Sequence, residues 1–156
     1  MIRKANRGDI DQLIQIWKEC FGDEETYIRA FLDDLFDCCI TLVWEHSGKV
    51  VAMLFLLPFV LQPEGKSVYY LYAAATSPKF QGQGIMAQLL CAAKQQGRPI
   101  FLKPGSKSLF EYYERNDFFV ASKCQFVKVK GQQADTGLAD SWQALKQARK
   151  KYIAIP

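Results

Sequence analysis

The sequence predicts an α/β fold in which helices flank a central mixed β-sheet, and three observations predict it. Segments of helical and of strand character follow one another in the order β-α-α-β-β-β-α-β-α-β-β, which is not a regular βαβ repeat. Apolar residues make up 49% and charged residues 23% of the 156, the balance of a globular chain. A chain of this length makes one domain and buries a core without metal ions or disulfides.

Each element follows from local chemistry. Met1–Ala5 reads as a short strand. Asp9 opens a helix with Gln12 three residues on, the spacing of a capping box. Ile10, Leu13, Ile14, Trp17 and Phe21 then recur at helical period until Gly22. Asp23-Glu24-Glu25 place acids at the positive end of a second helix, whose apolar positions are Ile28, Phe31, Leu32, Leu35 and Phe36. Strands are predicted over Ile40–Glu45 and Lys49–Phe59, joined by a tight Ser47-Gly48 turn, and over the tyrosine-rich Ser67–Thr76. Gln83–Gln96 is a helix of strong formers stopped by Gly97, with Pro99 beyond it. A short strand, Ile100–Leu102, precedes a helix over Ser106–Asn116 with Ser106 as N-cap. Phe118–Val120 and Gln125–Val129 form a strand pair, Gly131–Gly137 a linker, and Asp140–Tyr152 a last helix that is basic on one side.

Composition narrows the function. The longest apolar run, Val50–Leu61, contains a proline and is too short to span a bilayer, which needs about 20 residues. Residues 1–7 have no apolar core behind their charges and do not read as a targeting signal. The five cysteines include no Cys-x-x-Cys pair, and His46 is the only histidine, so neither a zinc site nor a disulfide framework is expected. Cys91 and Cys124 read as buried small hydrophobes. These features predict a cytoplasmic, metal-free, thiol-reduced protein. The net charge of +4 is too mild to indicate nucleic acid. Its distribution is uneven: Asp9–Asp37 holds nine acids against two bases, and the chain from Ser122 onward seven bases against two acids.

The segment that carries chemistry is Thr76-Ser77-Pro78-Lys79-Phe80-Gln81-Gly82-Gln83-Gly84-Ile85-Met86-Ala87, which runs from a strand through a glycine loop into a helix. Such a junction aims unpaired backbone N–H groups outward at a positive helix end, and glycines let a phosphate approach them. Gly82-x-Gly84-x-x-Ala87 also fits a loose dinucleotide fingerprint. That pattern needs an acid about 20 residues on, and Lys103-Pro104-Gly105-Ser106-Lys107 supplies none.

Gln81-Gly82-Gln83-Gly84-Ile85-Met86 resembles the Gln/Arg-x-x-Gly-x-Gly/Ala loop of the GNAT (Gcn5-related) N-acetyltransferases, with Pro78 ahead of it. Tyr113-Glu114-Arg115-Asn116-Asp117-Phe118 resembles the Tyr-Glu-Lys-Leu-Gly-Phe stretch of the same family. The two motifs stand in family order, and the element order agrees over 1–130. Three positions depart: Met86 stands where Gly or Ala is preferred, Ser106 where Asn often contacts the cofactor, and Asp117 where Gly precedes Phe.

The resemblance implies an acyl-CoA N-acyltransferase fold with a splayed strand pair, here Ser67–Thr76 and Ile100–Leu102, over a domain of residues 1–130. Residues 131–156 would be a linker and a basic helix packed on, or fraying from, that domain. Acetyl-CoA would be the cosubstrate, with Ala74 and Thr76 flanking its pantetheine. Gln81, Gly82, Gln83, Gly84, Ile85 and Met86 would cradle the pyrophosphate, with Ser106 nearby. Lys79, Arg98 and Lys107 are candidates for the outer phosphate, against an ordinary surface role. Tyr113 would be the general acid on the departing thiolate, while Tyr112 points about 100° away.

On alternation, Tyr70 and Tyr72 share a strand face with Ala74 and Thr76 and are candidates to line the acceptor site. That strand carries no carboxylate, so a base is expected through water or from Glu24, Glu25 or Glu45. The expected reaction is acetyl transfer to a primary amine of a small molecule, peptide or protein, with no nucleic-acid or membrane partner and homodimerisation left open. The alternatives are a GNAT-like acyl-CoA sensor without turnover, and an interaction protein acting through its basic terminal helix.

Overall fold

The computed structural model describes residues 1–61, 66–106 and 108–118. The strands β1 (Ile2–Lys4), β2 (Ile40–His46), β3 (Lys49–Leu61), β4 (Lys66–Thr76) and β5 (Ile100–Phe101) form one sheet in the order β1-β2-β3-β4-β5. The helices are α1 (Ile10–Phe21), α2 (Glu25–Leu35), α3 (Ile85–Lys94) and α4 (Leu109–Arg115). Up to Phe118 this is the predicted architecture of a sheet with flanking helices. Of the strand pair expected over Phe118–Val120 and Gln125–Val129 only Phe118 is described, and the linker and the terminal helix lie outside the described residues.

β1 and β2 pair antiparallel with Ile2 opposite Trp44, and β2 and β3 pair antiparallel with Ile40 opposite Leu56. Their hairpin turns at Ser47 and Gly48, both with positive φ (49° and 76°), the geometry that matches the twist of two strands joined by a two-residue turn. β3 is buried continuously from Val50 to Leu57, as a strand covered on both faces must be.

Contacts divide the chain into two compact units. The first comprises Met1–Leu57 and Tyr69–Ile100, and the second Pro58–Val68 and the chain from Phe101 on. In the first unit Trp17, Phe31 and Phe55 are almost fully buried. Their rings meet at 4.9 Å (Trp17–Phe31), 5.3 Å (Phe31–Phe55) and 5.6 Å (Trp17–Phe55), tying α1 and α2 to β3. Such ring pairs add about 0.5–1.5 kcal/mol each beyond the area they bury.

Several expectations are corrected. Asp9 is not the N-cap of a box with Gln12. The box is Asn6 and Asp9: the Asn6 side chain accepts from Gly8 N–H, and the Asp9 carboxylate accepts from Asn6 N–H. Gln12 instead accepts from the Val50 amide at 2.9 Å. Phe21 lies at the right angle on α1 but is its last residue, and it is 48% exposed while Ile16 is buried. α3 is shorter than Gln83–Gln96 because its first turn is taken up by the glycine loop. α4 starts at Leu109 rather than at Ser106. Cys91 is exposed on α3, not buried.

The Asn6–Asp9 box is also an ion-pair site. Arg3 donates to both oxygens of Asp9 (2.7 and 2.8 Å) and through Nε to Glu45 (2.6 Å), linking β1, the turn before α1 and β2. The Asp9 side chain is 6% exposed and that of Arg3 26%. The Arg3 hydrogen bonds hold the Asp9 carboxyl below its ordinary value, against the opposing effect of burial. A depressed folded-state value means stabilisation that is present above the unfolded value and lost as pH falls through the folded one. Removing one partner of a fully buried pair costs roughly 3–5 kcal/mol; because water still reaches Arg3, Asp9→Asn should cost about 2 kcal/mol at pH 7. The deficit should begin to shrink as pH falls below about 4, where the unfolded wild-type chain takes up a proton that the folded Asp9 carboxyl still excludes, and should go on shrinking until the folded carboxyl is protonated too. Urea unfolding of both proteins at pH 7 and pH 3.5 measures it, and a deficit independent of pH would remove the ion pair as its cause.

Candidate active site

β4 leads into a 3-10 turn at Pro78–Phe80, an extended Gln81, and then Gly82-Gln83-Gly84 before α3. Gly82 and Gly84 both take left-handed backbone, φ 73° and 74°, which a side chain would strain. A Cβ added at either would meet nothing within 4 Å, so the glycines face open space. α3 has no side-chain cap, and none of the backbone N–H groups from Gly82 to Ala87 donates to another described residue. Those donors lie at the start of α3, where the helix dipole is positive, the setting of a cradle for an anion.

The loop's side chains brace it. Gln81 donates to the Thr76 carbonyl at 2.9 Å and Gln83 to the Lys79 carbonyl at 3.3 Å, while the Gln81 amide is engaged with Pro78. The open donors therefore begin at Gly82. Ile85 is buried and anchors the helix, and Met86 and Ala87 are half-buried. Lys79 is exposed, and the exposed His46 lies 5.3 Å from the Phe80 ring, so the β2–β3 hairpin borders the loop.

The end of β4 holds a feature that alternation does not reveal. Ala73 has φ 47°, a left-handed residue inside a strand. Period-two alternation does not carry through it, so Tyr70 and Tyr72 cannot be assigned one face with Ala74 and Thr76. Ala74 and Thr76 are half-buried, and Thr76 Oγ1 is buried with no hydrogen-bond partner. An orphaned hydroxyl on β4 and an open anion cradle just after it fit a ligand with both a polar chain and phosphates, such as CoA.

Tyr70 is a core residue, 5% exposed. The Tyr72 hydroxyl shares a 3.1 Å hydrogen bond with the Tyr27 hydroxyl, and its ring lies 5.8 Å from Trp17 and 5.3 Å from Phe31. Burial, then the Tyr27 bond, then the nearby Tyr27, Tyr70 and Asp23 push its phenol well above the ordinary value.

Two of the three candidate bases are otherwise engaged. Glu25 is paired with Lys18 and Arg29, and these partners hold its carboxyl low. It lines a groove of about 550 Å³ whose charges largely pair among themselves, Arg29 also reaching Asp11. Glu45 is bound to Arg3. Glu24 is exposed at the N-terminus of α2.

In the second unit, Tyr113 is half-buried on α4, its ring 5.5 Å from Tyr112 and 5.7 Å from Phe118. Burial, with the neighbouring Tyr112, pushes its phenol up to about 12. Ser106 is exposed, and its hydroxyl meets that of Ser108 at 3.0 Å. Arg98, in the first unit, is half-buried: its guanidinium lies 5.0 Å above the Tyr69 ring, with Nη1 buried. Lys107 lies outside the described residues. Among the described residues no group of three or more His, Cys, Asp and Glu is arranged to hold a metal ion, and no helix is long and apolar enough to cross a membrane.

Comparison with known proteins agrees with this geometry. A GNAT acetyltransferase from Brucella melitensis, solved with acetyl-CoA, matches with a TM-score of 0.62 at 22% identity, over 77% of this chain and 82% of that one. An acetyltransferase from Trypanosoma brucei matches at 0.61 and 17% identity, over 77% and 92%. The aminoglycoside antibiotic 6'-N-acetyltransferase of Acinetobacter haemolyticus matches at 0.61 and 15%, over 85% and 98%. At these identities the likeness is one of fold. No curated protein matches the sequence. The sequence pattern described as the acetyltransferase (GNAT) domain matches residues 1–121, and the chain belongs to the GNAT acetyltransferase family.

Proposed function

We propose that this protein is an N-acetyltransferase that moves an acetyl group from acetyl-CoA directly to a primary amine. The observation that carries the reading is the row of unengaged N–H groups from Gly82 to Ala87 at the uncapped start of α3. The Brucella melitensis neighbour, solved with acetyl-CoA, supports the choice of cosubstrate. The acceptor is an amine of a small molecule, peptide or protein, and the setting is the cytoplasm.

Bound acetyl-CoA supplies an activated thioester, to whose carbonyl the amine adds and from which the thiolate departs. In this reading Gly82–Met86 hold the pyrophosphate through backbone donors, and Gln81 keeps the loop closed onto Thr76. Ala74 and Thr76 flank the pantetheine. A backbone N–H near Ala74, beyond the left-handed turn at Ala73, polarises the thioester oxygen. By the family resemblance Tyr113 gives its proton to the leaving thiolate, and Ser106 stands at a position that contacts the cofactor. A phenol pushed up to about 12 is still protonated at neutral pH, the state a donor needs.

Gly84→Asp puts a charge into the cradle at a left-handed position. Losing two charge-assisted hydrogen bonds is worth on the order of 3 kcal/mol, so calorimetry should show CoA binding weakened about a hundredfold. Gly84→Ala, which adds strain without charge, should lose much less. Undiminished CoA affinity in a folded Gly84→Asp protein would move the phosphate site elsewhere.

For Tyr113→Phe, kcat should fall roughly a hundred- to ten-thousandfold with CoA affinity unchanged, whereas Tyr112→Phe should do little. Because the Tyr113 phenol is pushed up to about 12, wild-type kcat should show no alkaline decline up to about pH 10. Equal turnover of the two variants would make Tyr113 a packing residue against Phe118.

A further inference from the structure

A glycine loop holds an anion well only if the chain on either side keeps it in place, because glycine loses the most backbone freedom on ordering. α3 anchors the far side of the Gly82–Gly84 loop through Ile85, Leu89 and Leu90, all buried. The near side is Thr76-Ser77, and there the last turn of α1 reaches across. Cys20 Sγ donates to the Thr76 carbonyl at 3.4 Å, and Ser77 Oγ donates to Glu19 Oε2 at 3.1 Å. The same Thr76 carbonyl accepts the Gln81 side-chain amide at 2.9 Å, and the Ser77 N–H donates to the Val51 carbonyl at 2.9 Å. A carbonyl oxygen has two lone pairs, so Cys20 and Gln81 can share it. α1 is a firm support. Leu13, Ile14, Ile16 and Trp17 are buried, so its last turn cannot shift without disturbing the core. Burial and the neighbouring Glu19 raise the half-buried Cys20 thiol, which keeps its proton available to donate. All of these groups belong to the first compact unit.

We propose that Glu19 and Cys20 are positioning residues for the phosphate loop: α1 clamps the end of β4, and the clamp sets where the open N–H groups from Gly82 to Ala87 stand. The inference rests on the reading of this loop as the CoA site. It adds two residues that lie 58 and 56 positions from their partners in the chain. Donors already fixed in place stabilise an anion without reorganising, whereas an unclamped glycine segment is ordered at the ligand's expense. The clamp therefore acts on the phosphates. β4 itself stays paired through the Ser77 N–H on Val51, so a part of the ligand that lies along the strand does not depend on α1.

The experiment compares CoA with pantetheine, which lacks the pyrophosphate, on the full chain. Calorimetry measures the first, and an NMR titration, which reads millimolar binding, the second. The double variant Glu19→Ala/Cys20→Ala loses two modest hydrogen bonds and should bind CoA about tenfold more weakly, with pantetheine affinity unchanged. Glu19→Gln keeps an acceptor for Ser77 and should bind CoA as the wild type does. Ser77→Ala should lose as much as Glu19→Ala, and the two together no more than either alone. Undiminished CoA affinity in the double variant would overturn the clamp. So would an equal loss for CoA and pantetheine, which would mark a general disturbance of β4. A wild type that binds CoA no better than pantetheine would sink the CoA reading of the loop and the clamp with it. That failure shows in the wild type, whereas the clamp's own failure shows only in the variants.

Discussion

The burial of Trp17 is the constraint on which the site depends. Its ring touches Phe31 on α2, Phe55 on β3 and Tyr72 on β4, so one side chain from α1 fixes two helices against two central strands. It is 1% exposed, and its indole N–H is satisfied by Asp23. A buried indole without an acceptor would lose the desolvation cost of that group, about 1–3 kcal/mol. Asp23 therefore has a structural duty, carried by one carboxylate oxygen. The same packing steadies β4 just before Ala73, where the strand leaves extended geometry.

From that fixed strand the sequence runs straight into the glycine loop. The order of events along the chain is a chemical order as well. Thr76 ends the strand with an orphaned hydroxyl, Gln81 folds back on its carbonyl, and Gly82 and Gly84 turn the backbone so that amides face outward. A side-chain cap at α3 would satisfy those amides internally, and Gly84 in the cap position provides none. The helix start is left unsatisfied by design of the sequence, which is what a binding site for an anion requires.

Much of this is legible in the residues. The helical stripe that includes Leu13, Ile14 and Trp17, the apolar run of β3 and the Gln81–Met86 loop all announce themselves by period or by glycine. The departures have physical reasons. Alanine carries no signal for left-handed backbone, so the turn at Ala73 is invisible, and with it the break in alternation after Tyr72. Asp9 and Gln12 have capping-box spacing, yet tertiary partners claim them: Arg3 for Asp9, the Val50 amide for Gln12. Glu25 and Asp23 look alike in an acidic stretch, and only three-dimensional pairing separates an acid neutralised by Lys18 and Arg29 from one with no cationic partner among the described residues. The role of Tyr113 comes from resemblance, and its packing on Tyr112 and Phe118 is what structure adds.

A transferase passes the acetyl group on, whereas a sensor merely holds its carrier. The most direct measurement incubates the wild-type protein with acetyl-CoA and a panel of amines, amino acids, polyamines and aminoglycosides, following free thiol and product mass together. Acetyl transfer predicts thiol release that depends on an amine, in step with a product heavier by one acetyl group. Tight acetyl-CoA binding with no thiol release for any amine would contradict it and mark the protein as a sensor of acyl-CoA.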